Sequence, residues 1–102
     1  MDKGIKLIVL DCLKPHKPIL PDLALKIIEL PGVNNVNITL VEVDTNTESI
    51  KISVEGNNLD YSLLRDTLKK YSTVVHSIDQ VIAGVAETTE EEIEDYEDTE
   101  WP

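Results

Sequence analysis

The first 84 residues carry four segments with strand patterns and two with helical patterns, in the order β-α-β-β-α-β. The predicted strands span residues 5–13, 33–44, 48–56 and 74–84, and the predicted helices span residues 21–30 and 61–71. This order is typical of the split βαβ or ferredoxin-like sandwich. Right-handed crossovers would place the first and third strands in the centre, with the fourth strand beside the first. We therefore expect an α+β fold, a four-stranded antiparallel sheet with two helices on one face.

Local signals support this order of elements. The clearest strand is "ESIKISVEG", in which apolar and polar residues alternate with a period of two. Pro21 suits the first turn of a helix, and Pro31–Gly32 would end that helix. The segment "NNLD" offers Asn and Asp caps for the second helix.

The negative charge of the chain is concentrated near its C-terminal end. The formal net charge is −11, and residues 85–102 contain nine acidic residues and no basic one. The remaining 11 acids and 9 bases give residues 1–84 a net charge of −2. Nucleic acid is not an expected partner, because phosphate binding needs clustered Lys and Arg residues. The composition predicts a domain over residues 1–84 and an acidic C-terminal extension over residues 85–102.

The acidic extension also contains apolar side chains. Its acids are typical of a solvated segment, whereas Ile93, Tyr96 and Trp101 are suited to a contact. We predict a short acidic helix after Thr89 that contacts a neighbouring surface through Ile93 and Tyr96, and a neighbouring subunit is one candidate for this surface. A basic partner protein is the alternative.

The cysteine content and the hydropathy pattern limit the class of protein. A single cysteine, Cys12, excludes an intramolecular disulfide and a cysteine-only zinc cage. No stretch approaches the roughly 20 apolar residues that a membrane span needs, and the N-terminal residues lack a secretory pattern. We therefore expect a cytoplasmic protein without a membrane partner.

The pairing of the first and fourth strands predicts a polar site near one edge of the sheet. A middle-to-middle antiparallel register would set His76 opposite Asp11, with Cβ atoms about 5 Å apart. His16 lies in the loop "KPHKP" that follows the first strand. Two imidazoles and a carboxylate suit a divalent metal ion such as zinc, so Asp11, His16 and His76 are candidate metal ligands. Alternatively, Asp11 orients His76 as a general base, or the two residues satisfy each other in a buried strand pair.

The more apolar face of the first strand contains Ile5, Leu7 and Val9, so we assign the two helices to that face. The opposite face would then stay open. An open apolar face on a small domain is expected to be covered by another chain. The residues predicted for this interface between copies are Ile8, Leu10, Val41, Val43, Val75 and Val81.

Two further residues of the predicted open face have simple structural interpretations. Cys12 is interpreted as a small apolar filler, because no recognisable catalytic motif surrounds it. Asp79 is predicted to form a surface ion pair.

Four segments of the domain resemble a known family. "LDCLKPH", "GVNNVNITLVEVDTNTESIKISVEG", "NLDY" and "VHSIDQVIAG" have the order and spacing of an archaeal family of small proteins, domain of unknown function number two hundred and eleven. The resemblance runs from about Gly4 to Gly84 and leaves the acidic extension outside. It implies a ferredoxin-like fold and ring-shaped homo-oligomers, and it implies no established activity.

These observations together predict a non-enzymatic homo-oligomer that serves as an assembly, or as a binding module for a small ligand or a divalent metal ion. A ring would place Asp11, His16 and His76 near subunit boundaries. The alternative function is an enzyme in which Asp11 and His76 form an acid–base pair.

Overall fold

Four strands and two helices follow one another in the predicted order in the computed structural model, which describes residues 3–86 of the chain. The elements are β1 (Lys3–Lys14), α1 (Leu20–Ile27), β2 (Val33–Val43), β3 (Glu48–Gly56), α2 (Tyr61–Lys70) and β4 (Val74–Val85). The sheet order is β2-β3-β1-β4, and each neighbouring pair of strands is antiparallel. The expected ferredoxin-like α+β fold is therefore confirmed, with β1 and β3 in the centre.

The starts of the helices follow from residues that were recognisable in the sequence, whereas α1 ends at Ile27, three residues before its predicted end at residue 30. Asp60 caps α2, because its carboxylate accepts a hydrogen bond from the backbone N–H of Leu63 at 3.1 Å. Proline occupies the first turn of α1, where a missing N–H costs no helical hydrogen bond. Gly32 follows α1 with a φ of 82°, in the left-handed region that favours glycine.

The core lies between the helices and the face of the sheet that contains the even-numbered residues of β1 and β3. Both helices bury apolar side chains there, at Leu23, Ile27, Leu64 and Leu68. The sheet contributes Ile8, Leu10 and Cys12 from β1 and Ile50, Ile52 and Val54 from β3. Leu10 lies opposite Ile52 in the antiparallel register, so the two sets share one face.

From Leu7 onward, the helices therefore cover the face of β1 opposite to the one we expected, whereas Ile5 packs against the core as expected. Leu7 and Val9 lie on the open face, where Leu7 is opposite the exposed Glu55. The pattern of β1 could not decide between its faces because both are apolar. The alternation in β3 decides, since Ile50, Ile52 and Val54 can only be buried towards the helices.

This reversal corrects part of the predicted interface. Ile8 and Leu10 are 1% and 0% exposed within the single chain, so they form its own core and cannot meet another copy. Val75 is half-buried and packs against that core. Val41, Val43 and Val81 are exposed, and their place in an interface stays a prediction.

Bulges in β4 change the register that we expected between β1 and β4. Asp11 lies opposite Ser77, and Cys12 lies opposite Val75. His76 is the extra residue between these two pairs, so the predicted pairing of His76 with Asp11 is wrong. Asp79 is a second extra residue, between the partners of Val9 and Leu10.

The acidic extension lies almost wholly outside the described residues. Strand β4 continues to Val85, one residue past the predicted end of the domain. The predicted helix after Thr89 and the predicted contacts of Ile93 and Tyr96 fall outside residues 3–86. Within residues 3–86, neither helix is long and apolar enough to cross a membrane.

Candidate functional site

The three predicted metal ligands do not form a site in the structure. Asp11 is half-buried in the open face of the sheet, between Lys51 of β3 and Ser77 of β4. His76 is exposed in the bulge of β4, and His16 is bonded to groups of the β2–β3 turn. Over residues 3–86, no three His, Cys, Asp or Glu side chains are grouped so that they could hold a metal ion. The metal hypothesis therefore has no geometric support in this part of the chain.

His16 instead holds the loop after β1 against the β2–β3 turn. Its Nδ1 lies 3.0 Å from Oε2 of Glu48, and its Nε2 lies 2.9 Å from the backbone oxygen of Thr45. A carboxylate and a carbonyl only accept hydrogen bonds, so both ring nitrogens donate together only when the imidazole is protonated. The hydrogen bond to Thr45 first, and then the one to Glu48, raise the pKa of His16 above its ordinary value.

Lys14 bonds to the same carboxylate from the core side of the sheet. Its side chain is 0% exposed, and its Nζ donates to Oε1 of Glu48 at 3.0 Å and to the backbone oxygen of Pro15 at 2.8 Å. Each oxygen of Glu48 thus meets one cation, and hydrogen bonds from His16 and then Lys14 lower the pKa of this carboxyl group. We call Lys14, His16, Thr45 and Glu48 the clasp.

The hydrogen bonds and ion pairs of the clasp hold β1 and the loop after it against β3 and the β2–β3 turn. A buried ammonium needs an acidic partner, and Glu48 supplies it directly across the β1–β3 ladder, where Lys14 and Glu48 are register partners. The sequence contained a signal that we missed. Lys14 continues the alternation of Ile8, Leu10 and Cys12, so it was placed to point into the core.

The clasp predicts a loss of stability as the pH rises. Because the folded-state pKa of His16 is raised above its ordinary 6.5, its contribution is complete below about pH 6.5 and disappears as the pH rises through the folded-state value. The free energy of unfolding, measured by urea denaturation from pH 6 upward, should therefore decline.

A matched pair of variants isolates this effect. His16→Gln should remove the decline, whereas His76→Gln, which removes the other histidine, should keep it. A decline of equal size in the His16→Gln protein would contradict the protonated clasp.

Asp79 forms the predicted surface ion pair, which is confirmed. Its Oδ2 lies 2.8 Å from Nζ of Lys51, and its Oδ1 accepts a hydrogen bond from the hydroxyl of Ser77 at 2.7 Å. The bond to Lys51 and then the one to Ser77 lower the pKa of the Asp79 carboxyl group. This pair links β3 to β4 across β1.

Cys12 has the environment of an apolar core residue. It is buried among the residues of the core, and burial, followed by the negative charges of Asp11 and Asp79, raises the pKa of its thiol to about 12. A thiol with this pKa stays protonated near neutral pH and is a poor nucleophile. The interpretation of Cys12 as a filler agrees with this position.

The two edges of the sheet expose apolar side chains next to unpaired backbone groups. Strand β2 is one edge and β4 is the other. Their exposed large apolar residues are Leu40, Val41 and Val43 on β2 and Val74, Ile78, Val81, Ile82 and Val85 on β4. Neither strand contains the lysine or proline residues with which proteins commonly protect an edge. The edges are therefore surfaces on which another strand can add.

Comparisons with known proteins agree with the resemblance noted in the sequence. The model of the DUF211 family, described as "Uncharacterized ArCR", matches residues 6–98. A protein of Methanocaldococcus jannaschii named "Uncharacterized protein MJ0319" is 47% identical over 81 residues, which cover 79% of this chain and 84% of that protein. The family match continues to residue 98, so the expectation that the acidic extension lies outside the resemblance is wrong.

Proposed function

As the chain belongs to the DUF211 family of uncharacterized archaeal proteins, we propose that it is a non-enzymatic assembly module that forms a closed homo-oligomer. In this assembly, edge strand β2 of one copy pairs with edge strand β4 of the next copy. One observation carries the proposal: both edges combine free backbone groups with exposed apolar side chains, and neither edge is protected by lysine or proline.

The directions of the two edge strands are compatible with a ring. Each neighbouring pair in the order β2-β3-β1-β4 is antiparallel, so β2 and β4 run in opposite directions. A copy rotated about an axis roughly along the strands would set its β4 antiparallel to β2 of the first copy. Such a head-to-tail contact uses two different surfaces, and it closes into a ring when the rotation divides a full turn.

The side-chain patterns of the two edges also match. Residues 35–40 of β2 and residues 80–85 of β4 contain no extra residue, so each offers six regular positions. On the helix side of the sheet, both stretches place apolar residues: Val36, Ile38 and Leu40 from β2, and Val81, Ala83 and Val85 from β4. Pairing them would continue one apolar surface across the junction.

Assembly is favoured over metal binding and over catalysis by the geometry of the candidate groups. In the part of the chain that the structure describes, Asp11 and His76 are not register partners, and no three ligand-type side chains are grouped. The assembly proposal needs neither of these arrangements. It needs only the two exposed edges.

Native mass spectrometry of the full-length protein tests the proposal. A single closed species with more than two copies is the expected result, because a head-to-tail contact that stops at a dimer would leave one free edge on each side. A monomer at micromolar concentration would overturn the proposal.

A further inference from the structure

A basic groove lies between α2 and the beginning of β4. It has a volume of about 220 Å³ and is lined by Tyr61, Arg65, Lys69, Thr73, Val74 and Val75. It lies apart from the β4 residues that form the proposed junction between copies, which begin at residue 80. The groove and the junction can therefore be occupied at the same time.

The rim of the groove is positively charged. Arg65 and Lys69 lie one helical turn apart on α2, which contains three basic residues and one acidic residue. The guanidinium of Arg65 lies 5.9 Å from the centre of the Tyr61 ring and 3.1 Å from Oδ1 of Asp66. Among residues 3–86, Lys69 has no acidic partner within ion-pair distance. The rim thus holds positive charge that is only partly neutralised.

The floor of the groove is apolar. Val74 is exposed, Val75 is half-buried, and the ring of Tyr61 packs against the core beside them. A basic rim over an apolar floor fits an acidic peptide that also carries aliphatic or aromatic side chains.

We infer that this groove binds the acidic segment 87–102 of the chain itself. That segment has nine acidic residues and no basic residue, and it contains Ile93, Tyr96 and Trp101 between the acids. Its carboxylates from Glu97 onward would meet Arg65 and Lys69, and its side chains Tyr96 and Trp101 would cover Val74 and the Tyr61 ring. The contact would pair the acidic segment with a basic rim. The other residues of the chain carry a net charge of only −2, so they repel the segment weakly.

The length of the segment allows this contact within one copy. The groove lies at Val74, and β4 runs away from it for twelve residues, so Val85 is about 36 Å distant. An extended segment over residues 87–102 reaches up to about 50 Å. The family match also continues to residue 98, so most of the segment belongs to the pattern of the family. The inference does not depend on the ring.

The fluorescence of Trp101, the single tryptophan of the chain, tests the inference in the full-length protein. Acrylamide quenching should be weak in the native chain and should rise severalfold, towards the value of the urea-unfolded chain, in the double variant Arg65→Glu, Lys69→Glu. It should rise in the same way in native protein at about 1 M salt, where the Debye length is about 3 Å.

A control variant separates the groove from the total charge. Lys26→Glu, Lys70→Glu changes the net charge equally but alters the bases that flank Tyr71, neither of which lines the groove. Quenching in this control should equal that of the native chain, and circular dichroism should show that both variants are folded. The inference is overturned if quenching in the native chain already equals that of the unfolded chain. It is also overturned if the control raises the quenching as much as Arg65→Glu, Lys69→Glu does.

Discussion

A lysine in place of Leu40 on β2, or of Val81 on β4, is expected to convert the assembled protein into monomers. These side chains are 45% and 48% exposed on the two edges of the sheet, so each lysine can reach water in the single copy. In the proposed junction the same lysine would be buried against an apolar strand, without an acid opposite it. Size-exclusion chromatography with light scattering measures the result.

The control for these variants is Leu25→Lys. Leu25 is 63% exposed on α1 and belongs to neither edge strand, so a lysine there adds the same charge outside the paired strands of the proposed junction. The control should assemble like the original chain, and all three variants should keep their circular dichroism spectra. Assembly that survives both edge variants, or that is lost equally in the control, would contradict the edge-to-edge junction.

Replacement of Leu10 by alanine is expected to lower the free energy of unfolding by about 2–5 kcal/mol, the range for removing a buried leucine side chain. Leu10 is 0% exposed and packs in the core between the sheet and the helices. The cavity left by the shorter side chain adds to the lost transfer free energy. Urea denaturation in the Leu40→Lys background measures the effect, because a monomer unfolds without a dependence on protein concentration.

Val9→Ala is the control that tests which face of β1 the helices cover. Val9 is the neighbour of Leu10 on β1, but it is half-buried on the open face of the sheet. Its truncation should lower the free energy of unfolding by clearly less than that of Leu10. Equal losses, or a larger loss for Val9, would show that the helices cover the face we first expected.

The order of the elements and some of their ends could be predicted because they depend on local chemistry. The alternation of "ESIKISVEG" predicts β3 to the residue, and Asp60 caps α2 as expected. The pairing order of the strands follows from chain direction and crossover handedness, which do not depend on individual side chains. The predicted pairing order is therefore correct even where the predicted register of two strands is wrong by one or two residues.

The candidate site could not be predicted in the same way. His76 lies in a bulge, and an extra residue in β4 shifts every pairing beyond it, so a register counted from the strand middle fails. The two faces of β1 are both apolar, so its partner strand and not its own pattern decides which face is buried. Lys14 and Glu48 are 34 residues apart, and only the register of β1 with β3 brings them together.

Mixing the two edge variants tests the central claim most directly. The Leu40→Lys copy keeps an intact β4 edge, and the Val81→Lys copy keeps an intact β2 edge, so the two can form one junction. Native mass spectrometry should find monomers in each separate sample and a heterodimer with one copy of each in the mixture. If either variant alone forms a homodimer, or if the mixture stays monomeric, copies do not join through β2 and β4.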